Sequence, residues 1–461
     1  MLTLVAGCSA TRSDNPLDNL PATPPQWATP LEANDADESS WSTTLGPQLE
    51  PLVATALAQN PALAQQAARV QFAAERIGLS RADRLPTLGL NLSGQRNRFN
   101  NTLGSDGPTT NITPTLSASF DVDLWGRLSL AQKASRLAYA AEQARFEQQQ
   151  RTLVQQVAFA FYDLLAAQQL LLVFEARLVT LQDSLDVIQR GYRAGLNEAL
   201  DVYLANTTVA QERANIANQA QLVFNARTSL ETLLGQMPEA TVTSANQLPE
   251  PSEYFAPLQP GQVLLQHPTV NAAWLDLLSA DATLANAQRN RLPGLSLSAS
   301  TSDSAERFDD LLQGRLAWTA AASLFQPLFQ GGRLRALSRQ AAADVQRLEQ
   351  RYLEQVFDTL AALQNTLSAT VTLNERLQAS QDAATQAQAA LDLAFSQYQR
   401  GLVNYATVLE SQRRAFDTQT GVIQLQNQQL RNRINVLVQS GLPLDTKLSQ
   451  IPTAVNDQGL T

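Results

Sequence analysis

The chain repeats itself, and no other feature constrains its architecture as strongly. Gln59-Asn60-Pro61 returns as Gln266-His267-Pro268, and Arg84-Leu85-Pro86-Thr87-Leu88 as Arg291-Leu292-Pro293-Gly294-Leu295, both 207 residues on. Gly126-Arg127-Leu128 returns as Gly332-Arg333-Leu334, 206 residues on, and Gly191-Tyr192-Arg193-Ala194-Gly195-Leu196 aligns at the same offset with Gln397-Tyr398-Gln399-Arg400-Gly401-Leu402. Four landmarks in one order, with one residue of drift, define two structural halves; the period is far too long for a solenoid. Each half reads as helix, β-hairpin, very long helix, tight turn and returning helix. The first repeat covers 49–235, with its β-hairpin over 86–123 and its helical hairpin over 127–235. The second covers 267–441, with a β-hairpin over 293–326 and a helical hairpin over 333–440. Residues 236–266, carrying Pro238, Pro249, Pro251, Pro257 and Pro260, read as a loop-rich equatorial segment, and 442–461 as a tail.

The strands alternate cleanly. From Ile112 to Val122 the even positions are Ile, Pro, Leu, Ala, Phe and Val, and the odd ones between are Thr, Ser or Asp. Leu88, Leu90 and Leu92 alternate with Gly89, Asn91 and Ser93; Leu295, Leu297 and Ala299 alternate with serines; Leu316, Trp318, Ala320, Ala322 and Leu324 share a face. Period-two alternation over about ten residues suits a tilted membrane strand with one face in lipid. A soluble sandwich with one dry face is the alternative, and the isolation of four strands among long helices argues against it. Four strands cannot close a barrel, and an open edge is not tolerated in lipid. Closure needs several chains, giving eight strands from a dimer or twelve from a trimer. The hairpin loops, near Asn100–Asn111 and Asp303–Gln313, are polar.

From Leu128 to Arg190 there is neither proline nor glycine. Val157, Ala160, Leu164, Ala167, Leu171, Phe174, Leu178, Leu181, Leu185 and Ile188 keep the 3–4 spacing of a coiled-coil heptad. A helix of that length spans about 95 Å. Leu196–Leu234 and Pro268–Asn290 together match it. The corresponding second-half positions, from Leu363 through Thr366 and Thr370 to Ala394, are smaller and more polar, so the two hairpins should pack differently. Heptads alone would also fit a fibrous spacer; the strands disfavour it.

Only 16% of the residues are charged, against roughly 25% in soluble proteins. Gln, Asn, Ser and Thr dominate the helix faces, which suits a wall wet on both sides. A net charge of −9 argues against a nucleic-acid partner. No uninterrupted apolar run of about 18 residues occurs; the longest, Leu164–Phe174, is broken by Gln168 and Gln169. Membrane entry is therefore expected through strands.

The single cysteine sits in Val5-Ala6-Gly7-Cys8-Ser9, the form of a bacterial lipoprotein cleavage box. Cys8 is the expected lipidation site, residues 1–8 a signal remnant, and Met1 a position inside a longer signal. Several acyl chains would anchor stably where one is marginal. Residues 9–48, rich in proline and then acidic, read as an extended tether that Trp27 and Trp41 dock in places.

With these residues in view, the chain resembles the TolC-like outer-membrane factors, and among them the lipid-anchored multidrug efflux branch. The specific points are Asp123-Leu124-Trp125-Gly126-Arg127, Gly331-Gly332-Arg333, the turns Tyr192–Leu196 and Tyr398–Leu402, and Gly441-Leu442-Pro443. The resemblance implies an α+β membrane protein: a homotrimer with a twelve-stranded β-barrel in the outer membrane, continued by a long antiparallel α-helical barrel through the periplasm. It implies a non-enzymatic exit duct for drugs or other small molecules. Its partners would be a periplasmic adaptor (membrane fusion) protein and an inner-membrane pump, expected to be proton-driven in this branch. A type I protein-secretion duct and a non-transporting periplasmic tether or receptor remain alternatives.

The resemblance also implies a periplasmic gate. Carried over by position, Glu410 occupies a pore-ringing site, Tyr398 is a linking tyrosine, and Asp201 is its acceptor. Thr407 stands where some members have a second acid and Val403 where some have a linking arginine, so fewer polar links are expected, with Arg190, Arg193 and Arg400 as candidate substitutes. Adaptor docking falls to the turns: Arg190, Gly191, Tyr192, Gly195 and Leu196 in one half, Arg400, Gly401 and Leu402 in the other. A ring of three Glu410 carboxylates would raise one another's pKa and favour cations. The alternative is a plain solvated Glu410 and an Asp201 that serves the helix dipole. No catalytic constellation, metal cluster or phosphate loop competes, and no cofactor is expected; the lone histidine, His267, matches Asn60 and is expected to cap a helix.

Overall fold

A computed structural model describes residues 20, 23–29, 41–98, 108–243, 247–249, 258–311 and 316–444. Helices α1 (Trp41–Gln59) and α2 (Pro61–Ala82) precede strands β1 (Thr87–Asn97) and β2 (Thr109–Val122). Helices α3 (Arg127–Arg193), α4 (Ala199–Leu233), α5 (Pro260–Gln266) and α6 (Pro268–Arg289) follow. Strands β3 (Gly294–Ser302) and β4 (Ala317–Phe325), then helices α7 (Arg333–Gln399) and α8 (Tyr405–Gln439), complete the second half. The chain divides into two compact units, one of 1–67, 146–270 and 356–461, the other of 68–145 and 271–355.

The second unit carries the sheet. Its order is β1-β2-β3-β4, every neighbour antiparallel, so β1 and β4 are both unpaired on their outer edges within the chain. The register sets Leu90 opposite Leu116, Ala118 opposite Ala299, Phe120 opposite Leu297 and Leu295 opposite Leu324. Because side chains alternate across a pleat, this register collects the apolar positions of all four strands on one face. Ser117, Ser119, Ser296 and Ser298 take the other, where the Ser119 hydroxyl lies 2.6 Å from that of Thr87. Leu88, Leu90, Trp318 and Leu324 are exposed, so nothing among the described residues covers this apolar face.

The first unit is helical. Its largest core joins Trp41, Leu49 and Val53 of α1 with Val154, Val157, Phe161 and Leu164 of α3. Leu230 of α4, Leu363 and Leu367 of α7, and Ile434 and Leu437 of α8 pack into the same core. On α7 the polar heptad position Thr370 is buried, and its hydroxyl accepts from Asn432 Nδ2 at 2.8 Å while donating to the Thr366 carbonyl at 3.0 Å. A buried hydroxyl with both partners avoids the penalty of an unmade hydrogen bond, so the more polar seam of the second half is tolerated.

Several expectations are corrected. By length and composition α3 does contain a window apolar enough to cross a bilayer; the fold uses Leu153–Leu165 as the core just described, which explains the apolarity. The tether ends earlier than residue 48, because α1 starts at Trp41, whose indole donates to the Leu442 carbonyl at 3.4 Å. Trp27 docks similarly on the Leu258 carbonyl at 2.8 Å. The equatorial segment holds a short helix, α5, with Pro260 at its start where a missing N–H costs nothing.

His267 is the C-cap residue of α5, its backbone N–H donating to the Val263 carbonyl, but its side chain does not cap α6. Asn60 caps α2, its Oδ1 accepting from Ala62 N at 2.9 Å and Leu63 N at 3.1 Å, while its Nδ2 donates to the Leu233 carbonyl at 2.9 Å. At the equivalent point His267 is 4% exposed and neither ring nitrogen has a partner among the described residues. An imidazole is too bulky to fold back on the next turn as an asparagine does. The two junctions still match in backbone: Gly235 (φ 76°) packs on Gln59 and Gly441 (φ 71°) on His267, each so closely that an added Cβ would meet backbone within 3.0 Å. Only glycine tolerates both demands.

Candidate functional site

The two helical-hairpin turns belong to the first unit and are built alike. At the α3–α4 turn, Gly195 N donates to the Tyr192 carbonyl at 3.0 Å and Leu196 N to the Gly191 carbonyl at 2.8 Å. At the α7–α8 turn, Gly401 N donates to Tyr398 at 2.9 Å and Leu402 N to Gln397 at 2.9 Å. Gly195 and Gly401 have φ of 76° and 74°, the left-handed conformation that closes a helix with this pair of bonds. The leucine after each glycine points outward, Leu196 at 81% exposure and Leu402 at 68%.

Beyond this frame the turns diverge. Asn404 caps α8, its Oδ1 accepting from Thr407 N at 3.0 Å and Thr407 Oγ1 at 2.9 Å. The matching residue at α4, Glu198, makes no side-chain cap. Asp201, the counterpart of Thr407, instead accepts the Tyr398 hydroxyl at 3.1 Å. Gly191 leaves room for Asn197, whose Nδ2 donates to the Ile188 carbonyl at 3.1 Å; Gln397 and Val403 fill those places in the other half.

Beneath the tyrosine lies a small core of Ile188, Ala205, Ala394, Tyr405 and Val408. The rings of Tyr398 and Tyr405 stand 5.5 Å apart at 50°, a favourable tilted pair. Burial, followed by the Asp201 charge, pushes both phenols up, Tyr405 to about 12. Tyr398 is thus held as a neutral donor. Tyr405 was not anticipated; its place directly after the Asn404 cap was the signal.

Glu410 does not meet Tyr398 or Asp201. Its carboxylate accepts from Arg413 Nη2 at 2.9 Å and from Arg414 Nε at 2.8 Å, and Arg413 reaches on to Asp417 at 3.2 Å. Hydrogen bonds from the two guanidiniums hold its pKa down at about 2. Within one chain the two neighbouring cations set this direction; the expected upward shift belongs to three carboxylates brought together by three chains. Arg413 and Arg414 were overlooked, although Glu-x-x-Arg-Arg at helical spacing announces the pairing. Arg190 pairs with Asp186 at 3.0 Å on its own helix and, among the described residues, forms no bridge between hairpins. Arg193 and Arg400 form no ion pair among the described residues. Tyr192 is half-exposed, and Cys8 lies outside the described residues.

The matches to known proteins follow this geometry. The family model described as outer membrane efflux protein matches residues 52–236 and 259–441, which are the two halves of the duplication. This chain belongs to the outer membrane efflux protein family. The toluene efflux pump outer membrane protein TtgF of Pseudomonas putida is 28% identical over 434 residues, covering 93% of this chain and 90% of that one. The pyoverdine export outer membrane protein OpmQ of Pseudomonas aeruginosa is 28% identical over 450 residues, covering 94% and 93%. A crystal structure of CusC, described in terms of transmembrane channel formation, superposes with a TM-score of 0.81 at 25% identity, covering 93% of this chain and 98% of that one. This efflux protein resides in the outer membrane and has the fold of the outer-membrane channels, long helical hairpins joined to a four-stranded sheet.

Proposed function

We propose that three copies of this efflux protein close into one duct. The observation that carries this reading is the pair of unpaired edges, β1 and β4, on a sheet with one apolar face. Unsatisfied edge groups in hydrocarbon cost several kcal/mol each. Pairing β4 of one copy with β1 of the next removes both edges, and twelve strands result from three chains. The serine-rich face then lines water.

The duct passes small molecules without catalysis, delivered from below by an inner-membrane pump through a periplasmic adaptor. The exposed Leu196 and Leu402 at the turns are the docking points. Tyr398 tied to Asp201 holds the resting tip closed, and Glu410 with its two arginines sets the charge there. Mass measurement in detergent should give three chains, and a planar bilayer should show discrete conductance steps. A stable monomer or dimer without conductance would overturn the reading.

A further inference from the structure

In the sheet-bearing unit, the connection from β4 to α7 borders a cleft of about 320 Å³. Arg291, Arg333 and Arg335 line it, and among the described residues no carboxylate does. Arg333 donates to a neutral partner, Gln330 Oε1, at 2.7 Å; Arg291 and Arg335 form no ion pair among the described residues. The cleft is built rather than accidental. Gln326 Nε2 donates to the Arg291 carbonyl at 3.1 Å and to the Pro327 carbonyl at 3.3 Å, tying the exit of β4 to the entry of β3.

Its rim is apolar. Leu328 is 91% exposed and Phe329 88%, the two most exposed large apolar side chains described. They follow directly on the strand whose apolar face carries Trp318 and Leu324. Three uncompensated guanidiniums beside two bare apolar side chains, at the foot of a lipid-facing strand, match one class of ligand in both charge and polarity. We propose that this cleft binds an anionic glycerophospholipid of the outer membrane. The phosphate sits among Arg291, Arg333 and Arg335, and the acyl chains lie along Leu328, Phe329 and the β4 face. Guanidinium forks suit phosphate oxygens in a bidentate manner that ammonium cannot match. A free anion would use the arginines and leave the apolar rim unexplained, which favours the lipid. The proposal rests on the sheet standing in the membrane and is independent of the gate and of transport.

The test is native mass spectrometry of the intact assembly. It is purified in detergent and supplied in turn with phosphatidylglycerol, phosphatidylcholine and inorganic phosphate. Phosphatidylglycerol should be retained in preference to the choline lipid. A basic residue at an anionic surface contributes about fivefold, so the Arg291→Gln, Arg335→Gln double variant should retain it about 25-fold less. The Arg291→Lys, Arg335→Lys variant keeps the charge and loses the forked geometry, so its retention should fall between that of the wild type and that of the glutamine variant. Equal retention of the two lipids, unchanged retention by the glutamine variant, or phosphate bound as well as lipid would each overturn the proposal. So would dissociation of the assembly in the glutamine variant with no lipid effect, which would make the cleft an interface between copies. Conductance should be unchanged in both variants, so failure here is distinguishable from failure of the duct reading.

Discussion

The hydroxyl of Tyr398, at the end of α7, donates to the Asp201 carboxylate in the first turn of α4, 197 residues away in sequence, at 3.1 Å. It links the two helical hairpins at their tips; the equivalent pair, Tyr192 with Thr407, has no carboxylate to accept the bond, and the Thr407 hydroxyl instead donates to Asn404. A hydrogen bond to a charged group contributes about 1.5–3 kcal/mol. Tyr398→Phe and Asp201→Ala should therefore raise resting conductance in a planar bilayer and antibiotic leakage in cells. Wild-type behaviour in both variants would place closure elsewhere.

The second prediction concerns charge at the tip. Glu410 keeps its proton off down to about pH 2. A depressed carboxyl contributes stability above its unfolded value, lost only as pH falls through the folded one. Ion preference should thus be flat between about pH 8 and pH 5, a range that lies above even the ordinary Glu value of about 4.3. Glu410→Ala removes one negative charge, leaving Arg413 with Asp417 and Arg414 without its carboxylate, and should move the reversal potential in a salt gradient toward anions. A pH-dependent preference in the wild type that Glu410→Ala abolishes would contradict the pairing.

The sheet register yields the third. Leu90 and Leu116 are cross-strand partners on the apolar face, while the Ser117 side chain faces the opposite way. Arginine at Leu90 or Leu116 should cost about 2–4 kcal/mol near the bilayer midplane and impair assembly on native gels. Ser117→Arg should assemble normally. Equal defects at 116 and 117 would refute the assignment of faces.

A fourth follows from His267. Burial, with Arg151 nearby, pushes its pKa down to about 4, against about 6.5 unfolded. Between those values the unfolded chain binds the extra proton, so stability falls as pH drops from 6.5 to 4. The loss amounts to about 3 kcal/mol. His267→Asn should flatten that acid limb of a thermal-melting profile and supply the cap that Asn60 provides in the other half. An unchanged limb would show that His267 is not the titrating group.

The fifth concerns the N-terminus. Mass spectrometry of membrane-extracted protein should find Cys8 acylated, and an unmodified Met1 would exclude it. Cys8→Ser, given a signal, should still assemble, since the sheet supplies its own membrane affinity.

The sequence by itself determined the duplication, the alternation of the strands and the glycine-closed turns, because each is written in spacing between near neighbours. A period of two or of three to four residues survives whatever the chain later packs against. Tertiary structure decided the rest. That His267 keeps the backbone place of Asn60 against its glycine, while its buried ring makes no capping bond, depends on packing that no spacing records. That Thr370 can sit in a buried heptad position depends on Asn432, on another helix. That Arg291, Arg333 and Arg335 form one uncompensated cleft depends on Gln326 bringing the ends of two strands together. In each case the partner lies dozens or hundreds of residues away, so the pairing exists only once the chain has folded.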